Sequence, residues 1–144
     1  MRNILKTALL LTLMIFAGFA NAEVDQELLE RATQGHANAQ INLGVMYGNG
    51  EGVPKDNKQV VKWYRLAAEQ GAAKAQLNLG VVYAIGEGVP EDELLAYMWI
   101  NLAGANGQDV SKAKEILFSR MIQADISKAQ ELTRQYIKDN PSVI

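Results

Sequence analysis

The chain has 144 residues, of which 21% are charged and 49% hydrophobic, with one histidine, no cysteine and a formal net charge of −2. No disulfide can hold it together, and thiolate chemistry, a zinc or haem site and a Ser/His/Asp or Cys/His triad lack the residues they need unless His36 serves alone. A mildly acidic chain without a lysine or arginine stripe is a poor match for a phosphate backbone or an anionic membrane, so neither nucleic acid nor a charged lipid surface is an expected partner.

Residues 1–22 read as a secretory signal. Arg2 and Lys6 open it, an apolar run from Ala8 to Ala20 follows, and Ala20-Asn21-Ala22 offers small side chains to a signal peptidase, with cleavage expected after Ala22. The run is shorter than the roughly 20 residues of a membrane-spanning helix, so no stable membrane insertion is expected after cleavage and the mature protein belongs in the periplasm or outside the cell. All sixteen acidic residues follow Ala22 whereas two of the fourteen basic ones precede it, which leaves the chain from Glu23 onward at −4. Its 122 residues fit one domain that must be stabilised by its own core.

That core is announced by repetition. Residues 35–70 laid over 71–106 return the same amino acid at eighteen positions, among them Gly35, Ala39, Gln40, Asn42, Leu43, Gly44, Tyr47, Gly52, Pro54, Asp56, Trp63 and Leu66 with their partners 36 residues on. A fixed period of this length marks a solenoid, whose units bury their apolar faces by stacking on one another. In the first helix of each unit Ala39, Leu43 and Tyr47, then Ala75, Leu79 and Tyr83, recur every four residues as one buried stripe. Gly44 and Gly80 lie inside these helices and point to the close approach of a neighbour. The second helices carry Val60, Trp63, Tyr64 and Ala67, then Ala96, Trp99, Ile100 and Ala103. Between the helices, paired glycines and Pro54 or Pro90 end one helix, and Asp56 and Asp92 cap the next, with Gln59 spaced to complete a capping box.

Other readings of these residues are weaker. Gly48-x-Gly50-x-Gly52-Val53 misses the spacing of a phosphate loop and follows a helix instead of a strand, and the acidic loops at Glu51 and Glu87 lack the order of a calcium loop. Glu91, Asp92 and Glu93 point in different directions at a helix start, which is no geometry for a pair of carboxylates cleaving sugars. Trp63, Tyr64, Tyr97 and Trp99 read as core, and His36, aligned with Ala72 at a turn, as an exposed spacer. No catalytic, cofactor-binding or metal-binding residue is expected.

Ala-Gln-x-Asn-Leu-Gly-x-x-Tyr, then Gly-x-Gly-Val-Pro-x-Asp, then a tryptophan and small residues ending at a glycine, resembles the Sel1-like repeat, twice in register between Gly35 and Gly107. Residues 23–34 look like the second helix of a partial preceding repeat, and 107–144 like closing helices over 111–121 and 125–138, with stripes Val110, Ala113, Leu117, Met121 and Ile126, Ala129, Leu132, Tyr136. The resemblance implies an all-α, right-handed α-solenoid of antiparallel helix pairs, about seven helices in all, related to tetratricopeptide repeats and binding partners on a concave side lined by the first helix of each pair. On that helix Asn38, Asn42, Val45 and Asn49, continued by Lys74, Asn78, Val81 and Ile85, become the candidate partner-binding residues. Asn42 and Asn78 could hydrogen-bond a partner's backbone or brace a neighbouring turn, and both roles stay open. The function implied is a non-enzymatic, exported adaptor or regulator that binds an envelope or periplasmic protein. A cysteine-rich branch of the family suggests instead a binder or hydrolase of cell-wall or β-lactam-like ligands, but it staples its repeats with cysteine pairs that this chain lacks.

Overall fold

A computed structural model of the protein describes residues 24–144; the expected signal and its expected cleavage point lie outside the described residues. Among the described residues seven α-helices follow one another: α1 Gln26–Thr33, α2 Ala37–Asn49, α3 Asn57–Ala68, α4 Ala73–Ile85, α5 Glu93–Ala105, α6 Ser111–Phe118 and α7 Gln123–Asp139, closed by a 3-10 turn at Pro141–Val143. The most extensive packing is within the pairs α2/α3 and α4/α5, with α3 against α4 joining the pairs and α7 lying along α5. This is the helix-pair solenoid expected from the 36-residue period.

The stripes fall where their spacing puts them. Leu43, Leu79, Ala67, Ala75, Ala96 and Ala103 are fully enclosed, and Trp63, Tyr64, Trp99 and Ile100 are buried beside them. Gly44 and Gly80 are the points of closest approach: a Cβ on Gly44 would sit 2.3 Å from the Tyr64 ring, and one on Gly80 would sit 2.7 Å from Ile100 and 3.1 Å from the Ala96 carbonyl. The missing side chains let α3 and α5 lie directly on α2 and α4.

The loop inside each repeat is closed by a backbone bond, from Asp56 N–H to the Tyr47 carbonyl and from Asp92 N–H to the Tyr83 carbonyl, both 3.0 Å. Asp56 Oδ1 then accepts from the N–H of Lys58 and Gln59, and Asp92 Oδ1 from Leu94 and Leu95. The expected capping box is therefore not made. The N–H that the Gln59 side chain would have received is already donated to Tyr47, so the cap works in one direction only.

The end of the chain departs most from expectation. The first closing helix stops at Phe118, three residues early, because the chain turns at Ser119 and Arg120 to bring Met121 into the core at 7% exposure. The last helix begins at Gln123 and ends in a tail whose Val143 is fully buried.

Candidate functional site

The candidate face is built by α2 and α4, at the polar and apolar positions beside the buried stripe. Asn38, Asn42 and Asn49 are exposed and Val45 is half-buried; Lys74 is exposed, Asn78 half-buried, and Val81 and Ile85 stand out at 42% and 53% exposure. Two depressions gather some of them. One, of about 280 Å³, is lined by Asn49, Tyr64, Asn78, Val81 and Glu87. The other, of about 150 Å³, is apolar and lies between α4 and α6, walled by Val81, Ala84, Ile85, Ile116, Leu117 and Arg120. Asn38, Asn42, Val45 and Lys74 line neither.

Two residues of the second depression were not singled out from sequence. Ile116 is 52% exposed one position from the buried Leu117, and an apolar residue next to a buried stripe was the available signal. Arg120 had none, since its role depends on three distant groups. It donates to the Ala84 carbonyl at 2.9 Å, one of the carbonyls that the last turn of α4 leaves without a helical partner, and it pairs with Glu93 at 3.1 Å and with Glu91. It thereby ties the end of α6 to both ends of the α4–α5 loop and forms the rim of the depression.

Asn42 and Asn78 occupy equivalent positions but different surroundings. Burial pushes the Tyr64 hydroxyl pKa up, and the neighbouring Asn78 amide, which lines the same depression, partly offsets it. The residue of α1 that corresponds to Tyr64 is Leu28, which offers Asn42 no hydroxyl. Asn78→Ala is therefore expected to cost about 1 kcal/mol through the lost polar contact with Tyr64, while Asn42→Ala stays within about 0.5 kcal/mol of the parent, as thermal melts of the two variants will show.

His36 is exposed at the N-cap of α2 and makes no capping bond with its side chain. Among the described residues no group of three His, Cys, Asp or Glu side chains is placed to hold a metal ion, and no helix is long and apolar enough to cross a membrane.

A stack of helix pairs with a 36-residue period, identical loop closures and glycine-mediated contacts defines an α-solenoid of short repeats. The family model for the Sel1 repeat matches residues 37–71 and 73–108, and the chain is a Sel1-like repeat protein. It is similar to the crystal structure of a protective antigen present in uropathogenic Escherichia coli strains and displaying an SLR fold, with 34% identity and a TM-score of 0.74 over 81% of this chain and 26% of that one. It is also similar to a Sel1 repeat protein from Oxalobacter formigenes, with 41% identity and a TM-score of 0.56 over 58% of this chain and 34% of that one. The chain thus spans about a quarter to a third of the length of these relatives. No curated protein matches it.

Proposed function

We propose that the protein is an exported, non-enzymatic binding module of the cell envelope that docks a segment of another protein across the α2/α4/α6 face. The observation that carries this reading is the group of exposed apolar side chains, Val81, Ile85 and Ile116, gathered around one apolar depression between α4 and α6. Apolar side chains grouped in this way mark binding surfaces. The proposed export rests on the signal-like pattern of residues 1–22 and is tested by sequencing the N-terminus of the protein recovered from expressing cells, with Glu23 expected first.

The binding reading is tested with the double variant Val81→Asp, Ile85→Asp. Both side chains are exposed, so the variant should melt within about 1 kcal/mol of the parent. Crosslinking of the tagged mature chain in an envelope fraction should give a discrete protein product with the parent and none with the variant. Equal products from both would remove this face as the docking surface.

A further inference from the structure

The two repeats carry the same polar clasp at the junction between successive units, and only one clasp is filled. In the second, Gln76 Nε2 donates to the Ala68 carbonyl at 3.1 Å and Asn106 Nδ2 donates to Gln76 Oε1 at 2.9 Å. In the first, Gln40 Nε2 donates to the Ala32 carbonyl at 3.0 Å and Gln70 Nε2 to Gln40 Oε1 at 2.8 Å, every partner being shifted by 36. The second clasp holds the end of the chain itself. The Val143 carbonyl accepts from Gln76 Nε2 at 2.9 Å and from Asn106 Nδ2 at 2.8 Å, and the tail backbone runs so close to Gly71 that a Cβ there would meet the Ser142 and Val143 carbonyl oxygens at 3.3 Å.

The counterparts of these three residues, Gly35, Gln40 and Gln70, line one open groove of about 530 Å³ between α1 and α3, together with Trp63 and Leu66. Among the described residues nothing fills it. Leu66 is 39% exposed there, whereas Leu102, its counterpart in the second repeat, is 0% exposed. Gln40 Nε2 has Ala32 as its one acceptor, and Gln70 Nε2 turns its second bond back to the Leu66 carbonyl of its own helix. The buried Trp63 Nε1 has no acceptor at all. No Cβ at Gly35 would meet anything, where at Gly71 the tail is in the way.

We propose that the α1/α3 groove is a second docking seat, taking an extended segment of a partner protein whose valine- or isoleucine-sized side chain enters beside Leu66 and whose carbonyl accepts from the Gln40 and Gln70 amides. The tail of a second copy is not the occupant. Each copy's tail is already seated, and withdrawing it would leave the Gln76 and Asn106 donors short of an acceptor and expose the buried Val143, so an exchange between copies gains nothing. The seat lies apart from the α2/α4/α6 face and does not depend on it.

The probe is the acetylated peptide Asp-Asn-Pro-Ser-Val-Ile, the sequence of residues 139–144, titrated into isotope-labelled mature protein and followed by NMR. Saturable shifts are expected at the Trp63 indole N–H and the Gln70 side-chain amide, with Asn106 and Val143 unmoved. Leu66→Glu, at an exposed position, should weaken binding at least about tenfold while melting like the parent; Gln70→Ala should weaken it as much but also melt lower, since it removes the donor to the buried Gln40 Oε1. The Val81→Asp, Ile85→Asp variant should bind the probe unchanged, so the fate of this seat is read separately from that of the other face. No shift at millimolar peptide, shifts confined to Asn106 and Val143, or binding indifferent to Leu66→Glu would overturn the proposal. The same shifts on adding unlabelled protein would replace the partner with a second copy and overturn the assignment of the occupant.

Discussion

Replacing Leu79 with alanine is expected to remove about 2 to 5 kcal/mol of stability, the range for a leucine emptied from a packed core. Leu79 is fully buried in the middle of α4, in the cluster that also holds Tyr64, Ala75, Ala96 and Ile100. Because α4 is held between α3 and α5, and Gly80 already brings α5 as near as backbone allows, the neighbours cannot close over the vacancy. For a domain of this size the loss lowers the melting temperature by roughly 10 °C or more. Leu43→Ala tests the same position in the smaller cluster formed with Ala32, Ala39 and Trp63, where α1 is eight residues long and freer to adjust. Its cost should fall toward the lower end of that range. Unchanged melts would show that the stripe does not face the core.

Gly88→Ala is the second large effect, and Gly52→Ala is its internal control. Both glycines hold positive φ, +78° and +70°, so an alanine at either site meets left-handed strain of about 1 to 2 kcal/mol. Only at Gly88 is the space also taken. Its Cβ would sit 2.3 Å from the carbonyl oxygen and 2.6 Å from the carbonyl carbon of Asn57, at the start of α3, and backbone cannot rotate away as a side chain can. A Cβ on Gly52 meets the Met46 methyl at 3.7 Å, an ordinary contact. Denaturant melts should therefore place Gly52→Ala about 1 to 2 kcal/mol below the parent and Gly88→Ala at least another 1 to 3 kcal/mol lower, the overpacking range. Equal losses would mean that the second loop does not rest on the first repeat.

These two comparisons share a cause. A repeat sequence encodes the same local structure in each copy, but the neighbours of each copy differ at the ends of the stack. The helical stripes, the glycine contacts and the N-cap aspartates Asp56 and Asp92 are local, set by spacing over three or four residues and by residues that must lie against the adjacent helix, and for that reason they could be read from 144 letters; that the Asp56 cap works in one direction only, without the Gln59 side chain, could not. The resemblance to Sel1-like repeats was legible on the same grounds, since the family's signature consists of those stacking and turning residues.

What the letters could not say is which of two identical residues has company. Leu66 and Leu102 are the same amino acid in the same register, yet one is partly open to water and the other sealed, because the closing elements at the far end of the chain, α7 along α5 and the tail in the second clasp, cover the second repeat and not the first. Asn42 and Asn78 diverge because the preceding helix offers leucine to one and tyrosine to the other. Arg120 became a rim residue only when α6 turned short enough to carry it to Ala84, Glu91 and Glu93. Local propensity and apolar period thus determined the helices, their faces and the way each pair closes, since these depend on residues near in sequence. The tertiary structure alone decided which surfaces remained unfilled, since that depends on how the ends of a finite stack are covered.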